Sequence, residues 1–352
     1  MKQLGQRLER AWLASPAWWL RGLASLYALG WRTYAGVYRW GLRRRVALPI
    51  PVIGVGSLWA GGVGKTPVTI AIARQLAEWG AQVTVLTHGY GGSRYRQTTL
   101  IEPREYPDPA QVGDEAAELR LALPDVPIAV GKRRVPTAIA AIERWSPEML
   151  VVDDGFQHLP LARTLDLVLL PAETPLGNGY CLPAGPLREP PSGLTRASGI
   201  VLVSYPSRPP LPQPPMLERV GIPIYTASVA PVALLELATG NRLPLGALMG
   251  RPLTLLCGVA RPERFLETTQ SLGYTVESVH AFADHHAYTP DELRFTASKT
   301  ILTTAKDAVK LRTRLPHAVD AYALLVEAHL DNALQQRLHQ ILTGTTPERR
   351  KL

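Results

Sequence analysis

Three short stretches of this chain combine residue types that can handle a phosphate chain and a cation. The first is Gly61-Gly62-Val63-Gly64-Lys65-Thr66-Pro67, preceded by Ala60. Glycines at this density let backbone N–H groups close on an anion, a lysine reaches the terminal phosphate oxygens, and the next hydroxyl can ligate Mg²⁺. The strict G-x-x-x-x-G-K-T pattern is missed by one position, because Trp59 stands at its first glycine. The second stretch is Asp153-Asp154, paired acids closing the apolar run that starts at Met149. After a phosphate loop, acids at a strand end suit a second Mg²⁺-organising element, although acids capping a helix look similar. The third is Gly113-Asp114-Glu115 ahead of a helical stretch over 116–123, where Asp114 reads equally as a helix cap or as a reactive group.

The elements that must position these residues follow from local patterning. Residues 51–56 read as a short buried strand, and 68–79 as a helix that stops at Gly80. Strand, glycine loop and helix are the context a nucleotide phosphate cradle requires. The next strand, 82–86, leads into Thr87-His88-Gly89-Tyr90-Gly91-Gly92. Alternating strands and helices predict an α/β protein with a parallel sheet covered on both faces, whose ligands sit at the carboxyl ends of the strands. With 352 residues the chain is long enough for two domains. Its 46% hydrophobic and 19% charged residues exclude wholesale disorder. Cys181 and Cys257 are too few for a disulfide framework or a structural zinc site, which predicts a reduced, cytosol-facing protein.

The net charge of +9 is concentrated at one end. Lys2, Arg7, Arg10, Arg21, Arg32, Arg39, Arg43, Arg44 and Arg45 face Glu9 alone, and the rest of the chain is nearly neutral. A nucleic-acid enzyme spreads basic residues along a groove, so that class is not expected. The same end carries Trp12, Trp18, Trp19, Tyr27, Trp31, Tyr34, Tyr38 and Trp40. It has no clean apolar core and cleavage site for a signal peptide, and Arg21 interrupts the only near-span, from Leu13 to Trp31. At about 100° per residue, Arg21, Arg32, Arg39 and Arg43 fall within about 40° of one another. Trp19, Leu23, Gly30, Tyr34 and Val37 lie opposite them. That pattern predicts a helix starting at Ser15-Pro16 and lying in the plane of an anionic membrane surface; packing on its own domain is the alternative.

Further blocks then occur in order along the chain. They are Asp153-Asp-Gly-Phe-Gln-His158, Gly177-Asn-Gly179, Leu182-Pro-Ala-Gly-Pro-Leu-Arg-Glu-Pro190, Gly258-Val-Ala-Arg-Pro-Glu-Arg-Phe265, Asp284-His-His286 and Thr303-Thr-Ala-Lys-Asp-Ala-Val-Lys310. Together with the glycine loop and Gly113-Asp-Glu115, this set closely resembles the tetraacyldisaccharide 4′-kinase family, the lipid A 4′-kinases of Gram-negative bacteria. The resemblance covers nearly the whole chain. It implies transfer of the ATP γ-phosphate to the 4′-hydroxyl of a tetraacylated glucosamine disaccharide 1-phosphate, giving lipid IVA, with Mg²⁺, at the cytoplasmic face of the inner membrane. It also implies a P-loop lobe and a smaller α/β/α lobe joined by a short β linker, with the site in the cleft between them. The expected division is a basic aromatic segment over 1–45, a nucleotide-binding lobe over 46–215 and a closing lobe over 216–352, with the proline-rich 206–215 near the boundary.

Carried over position by position, the resemblance gives Asp114 as the catalytic base and His285 as its partner. It places Ala60 to Pro67 around the nucleotide, with Lys65 on the phosphates. Thr66, Glu115, Asp153 and Asp154 attend the metal, and Arg188, Arg134, Gln157 and His158 line the site. Lys132-Arg133-Arg134 reads as a basic turn able to touch the substrate 1-phosphate, and Arg188 has a structural ion pair as its alternative role. Zinc at His285 and His286 is not expected, since no further ligand lies at suitable spacing. No obligate protein partner is expected. Four positions depart from the family pattern: Ser57, His88, Ala116 and Ala305 stand where asparagine, arginine, proline and glutamate are usual. His88 should weaken any cationic contribution at its position, and Ala305 puts the nucleotide role of its loop in doubt. The rival class is a membrane-associated P-loop NTPase switch with no small-molecule acceptor. Against it, Ala60 replaces that class's extra lysine, and no Asn-Lys-x-Asp run follows.

Overall fold

The computed structural model describes residues 15–206, 217, 220–296, 299–315 and 319–344. The expectations for Lys2 to Trp12 and for the proline-rich loop over 207–215 therefore lie outside the described residues. Among the described residues, thirteen strands join one sheet in the order β11-β10-β12-β13-β8-β7-β6-β1-β5-β2-β4-β3, with β9 paired to β8. In chain order they are β1 (Val52–Ser57), β2 (Val83–Thr87), β3 (Thr99–Ile101), β4 (Ile128–Val130), β5 (Met149–Asp153), β6 (Leu165–Pro171) and β7 (Gly199–Ser204). Then follow β8 (Ile224–Glu236), β9 (Arg242–Leu243), β10 (Pro252–Cys257), β11 (Thr275–Ala281), β12 (Thr300–Thr304) and β13 (Asp320–Leu330).

Strands β1, β5 and β6 are buried along their whole length, as a parallel sheet covered on both faces requires. β1 lies between β5 and β6, so the glycine loop and the Asp153-Asp154 pair leave neighbouring strands at the same sheet edge. The sheet from β4 to β7 is parallel, and β3 closes it as an antiparallel edge strand. The join between the halves is made by β8 and β13, which pair antiparallel from Tyr322↔Glu236 to Leu330↔Ala227. The start of β8 also pairs with β7, and the start of β13 with β12, so one ribbon carries the sheet from one half into the other. A large apolar core surrounds β1 and its following helix, and two smaller clusters lie on either face of β10 and β12.

The first described helix, α1 (Trp18–Arg39), begins later than Ser15-Pro16 suggested. Ala17 is its N-cap and supplies no side-chain bond. The Pro16 carbonyl is taken instead by Arg21 Nε at 3.0 Å, which ties the chain ahead of the helix. Ala24 is buried and Ala28 packs on the core, so one stripe of α1 faces the protein. Trp18, Leu26 and Leu29 on the opposite side are 83%, 68% and 57% exposed. No described helix is long and apolar enough to cross a membrane. Cys181 and Cys257 are both free and buried.

Candidate active site

The glycine loop turns sharply because three of its residues adopt left-handed backbone angles, with φ of 87° at Gly61, 58° at Gly62 and 85° at Gly64. Helix α2 (Lys65–Glu78) starts directly behind it, so the helix N-terminus and its free N–H groups face the loop. Trp59, which breaks the strict motif, anchors the turn. Its indole is buried and donates to Pro175 O at 2.7 Å, while Ala60 N donates to Pro186 O at 2.8 Å. Ala60 N is thus spent on holding the loop, beside the cavity that Gly61 to Pro67 wall.

Asp153 is buried at the end of β5 and accepts from Thr69 Oγ1 at 2.8 Å and Thr66 Oγ1 at 3.4 Å. Burial first, then Glu115 and Asp154, pushes its carboxyl up to about 7. Asp154 adopts a left-handed φ of 48°, which turns its carboxylate away from Thr66 and toward two cations. Arg188 Nη1 lies 2.9 and 2.8 Å from its two oxygens, and Lys65 Nζ stands 3.8 Å away. Burial opposes the charge of Asp154, but Lys65 and Arg188 outweigh it and hold the group far below the usual range. Asp154 is the counter-ion of Arg188 and Lys65, while Asp153 faces Thr66 from the end of β5. The ion pair of Arg188 is with Asp154 and not with the adjacent Glu189, which Arg196 neutralises at 2.8 Å. Gln157 donates to Ser57 O and to Glu189 Oε1, both at 2.9 Å, so its side-chain nitrogen serves the architecture.

Helix α3 (Pro109–Val112) ends at Gly113, where an added Cβ would lie 2.6 Å from Tyr90 O. Asp114 follows at the start of α4 (Asp114–Ala122) and caps no backbone N–H with its side chain. Its carboxylate instead reaches across to the other half of the molecule. His285 Nδ1 lies 2.8 Å from Oδ1, and Lys310 Nζ donates to Oδ2 at 3.3 Å, with Lys306 Nζ 4.0 Å away. Burial opposes ionisation, but the His285 bond and the two lysines win and bring Asp114 down to about 2. Conversely the bond to Asp114 raises His285 above its ordinary value, against burial and Lys306. Lys306 and Lys310 belong to α7 (Ala305–Leu311), which follows α5 (Arg134–Trp145) and α6 (Pro262–Ser271) and precedes α8 (Asn332–Gly344). Thr304 caps α7 by accepting from Asp307 N at 3.2 Å, so alanine at 305 leaves the turn intact. Ser57, the departure at the end of β1, bonds Leu169 O at 2.8 Å.

Two cavities meet here. One, of about 290 Å³, is walled by the glycine loop and Lys65 on one side and by Lys306, Ala305 and Arg261 on the other. The second, of about 500 Å³, is lined by Tyr95, Lys132, Arg134, Gln157 and His158. Glu115, Arg188 and His285 belong to both, whereas Asp114 faces neither. Arg134 is buried, donates to Asp153 O at 3.0 Å and keeps Nη1 without a partner among the described residues. Burial, then Arg134 and Arg163, push His158 down to about 4, and burial lowers His88, whose ring stands 3.7 Å from Glu115.

The residues present suit a magnesium ion. Among the described residues Glu115 Oε2 is buried without a hydrogen bond, and Thr66 and Asp153 converge beside it under mutual acid repulsion that a cation relieves. No cluster of three or more ligating side chains forms a closed cage among the described residues. Mg²⁺ takes few protein oxygens and shares the rest with phosphate and water. Glu118, Tyr205 and Arg264 also line the first cavity, with no role expected for them from the sequence. Glu118 was accessible from its i+3 spacing to Glu115 on one helix face; burial pushes it up to about 8.

A family model described as tetraacyldisaccharide-1-P 4′-kinase matches residues 16–343. The chain belongs to the tetraacyldisaccharide 4′-kinase family. It is 40% identical over 298 residues to the tetraacyldisaccharide 4′-kinase of Anaeromyxobacter dehalogenans, covering 80% of this chain and 78% of that one. It is 37% identical to the same enzyme from Alkalilimnicola ehrlichii over 95% of this chain and 96% of the other. The crystal structure of LpxK from Aquifex aeolicus in complex with ATP superposes with a TM-score of 0.77 at 28% identity, covering 92% and 98% of the two chains. This family's members are kinases, and the fold, a P-loop-type α/β architecture with a second α/β half, is shared with that ATP-bound enzyme.

Proposed function

We infer that this chain performs the family's reaction in the cleft just described: the γ-phosphate of ATP passes to the 4′-hydroxyl of tetraacyldisaccharide 1-phosphate. The observation that carries the assignment of sides is the shared wall. A cavity bearing a glycine loop and Lys65 meets a basic, open cavity at Glu115, Arg188 and His285, so a phosphoryl group can cross between them. Phosphoryl transfer asks the protein mainly for positioning and charge neutralisation. Lys65 and the loop N–H groups grip the phosphates, and Arg188, fixed by Asp154, faces the crossing point. Thr66, Asp153 and Glu115 would hold Mg²⁺, which supplies neutralisation of the phosphate charge.

On the acceptor side the sugar hydroxyl loses its proton to the Asp114–His285 pair. Asp114 supplies the charge and His285 presents it to both cavities. Arg134, with one buried nitrogen to spare, and Lys132 suit the anionic 1-phosphate of the acceptor. Because the two members of the pair come from opposite halves, the acid–base site is complete only when the halves meet, which restrains transfer to water.

The exposed apolar side of α1, with its arginines along one edge, supports seating on an anionic bilayer, where a four-chain substrate resides. Arg21 also lies over the Tyr180 ring at 5.7 Å, so α1 adjoins the loop that carries Arg188. The membrane involved would be the inner membrane, on its cytoplasmic face. A protein switch has no use for the second cavity. The test is to supply Mg-ATP with acylated disaccharide 1-phosphate and weigh the lipid product. A gain of one phosphate supports the reading, and acceptor-independent ATP hydrolysis with unchanged lipid overturns it.

A further inference from the structure

The glycine loop is not held by its own half alone. Arg264, in the first turn of α6, is buried and sends its guanidinium out of the C-terminal half into three elements of the N-terminal half. Nη1 donates to Gly62 O at 2.6 Å, Nη2 donates to Glu173 Oε1 at 2.7 Å just beyond β6, and the guanidinium carbon lies 3.9 Å from the ring centroid of Tyr205 at the end of β7. The neighbouring Arg261 lies over the Trp59 ring at 4.7 Å. The contact with the loop is close. A Cβ on Gly61 would fall 3.0 Å from Ala260 Cβ, and one on Gly62 would fall 3.0 Å from Arg261 Cδ.

The bond to Gly62 has a consequence fixed by covalent geometry. A trans peptide is planar, with its C=O and N–H pointing to opposite sides. The cis bond of the described chain is Leu182-Pro183, so the Gly62–Val63 peptide is trans. Drawing the Gly62 oxygen toward Arg264 therefore aims the Val63 N–H away from the guanidinium, which lies against Glu173 and Tyr205. That N–H makes no hydrogen bond among the described residues. Gly62, at φ 58°, has the freedom to flip this peptide, so something outside the loop must choose its orientation.

We propose that Arg264 is a positioning residue that sets the orientation of the Gly62–Val63 peptide, so that the loop presents the Val63 N–H to the nucleotide phosphates only while the C-terminal half is closed against it. Glu173 and Tyr205 hold the guanidinium at the required angle. A lysine cannot replace it, because a single ammonium does not span Gly62 O and Glu173 in one plane while stacking on Tyr205. Grip on the phosphates and assembly of the Asp114–His285 pair are then driven by one movement, although the two contacts lie in different loops.

The test compares Mg-ATP and AMP affinity in the full-length parent and in Arg264→Ala, Arg264→Lys and Glu173→Gln, by displacement of a fluorescent nucleotide. A charge-assisted bond of this kind is worth about 10- to 100-fold in Mg-ATP affinity. AMP, which ends at the α-phosphate, should change by less than about threefold. Arg264→Lys and Glu173→Gln should show the same selective loss in smaller measure, and added guanidinium ion should restore part of the Arg264→Ala defect. An unchanged ATP-to-AMP affinity ratio in Arg264→Ala overturns the proposal, as does equal loss for both nucleotides. Should that variant not fold, an unchanged ratio in Arg264→Lys and Glu173→Gln overturns it equally.

Discussion

Replacing Asp114 by asparagine removes one charge while keeping the shape of the side chain, and its effects can be worked out from the site. In the parent the carboxylate lies 2.8 Å from His285 and 3.3 Å from Lys310, and it sits near 2 against an ordinary 3.8. That difference corresponds to about 2 kcal/mol favouring the charged form in the folded protein. A depressed carboxylate contributes its stability above the unfolded value and loses it as pH falls through the folded one, so Asp114→Asn should cost about 2 kcal/mol at pH 7–8 and nothing well below pH 2. The kinetic effect is larger, because a positioned acid–base group supplies about 10²- to 10⁴-fold in rate. The pH profile adds a sign. His285 is raised by Asp114, so activity that needs its neutral form falls as pH drops through a value above 6.5. Without the carboxylate that inflection should move down. The assay is steady-state transfer to acylated disaccharide 1-phosphate across pH 5–9. Turnover within about threefold of the parent, or an unmoved inflection, refutes the assignment of the pair.

Other consequences are as direct. Arg188→Ala frees Asp154 to pair with Lys65 3.8 Å away, so turnover should fall by about 10²-fold with a modest loss of ATP affinity, measured by steady-state kinetics. Charge placed on the exposed face of α1, as in Trp18→Glu with Leu26→Glu, should abolish binding to anionic vesicles in a flotation assay while transfer to a detergent-dispersed acceptor stays within about threefold. Asp307 accepts from Gly258 N, Tyr288 Oη and Thr304 Oγ1 at 2.9, 3.0 and 2.8 Å, and pairs with Lys310 at 3.1 Å. Asp307→Ala strands these buried partners and should cost about 3–5 kcal/mol in urea unfolding; a loss below about 1 kcal/mol contradicts the network.

The local chemistry was the readable part of the sequence. Glycines before Lys65, acids closing an apolar run and the strand–loop–helix order all rest on near neighbours, and they landed on adjacent strands at one sheet edge. Distance along the chain hid the rest. Asp114 and His285 are 171 residues apart, so spacing alone could not decide between a helix cap and a reactive group, and only the family resemblance paired them. Asp154 looked like a metal ligand beside Asp153. Its left-handed backbone, invisible in the residue order, turns its carboxylate to Arg188. The start of α1 moved because Arg21 takes the Pro16 carbonyl, a side-chain choice that capping preferences do not contain. Arg264 was within a quoted motif, yet its function depends on a glycine loop some 200 residues earlier.

The central claim is that Lys65, from one half, and His285, from the other, serve one phosphoryl transfer. Single-turnover transfer from γ-labelled ATP to the lipid disaccharide, set beside acceptor-independent hydrolysis, tests it in the parent and in Lys65→Ala and His285→Ala. One label per acceptor is expected at the 4′-position in the parent, with loss of transfer in both variants. Label on the lipid at parental rate with either side chain removed would contradict the claim.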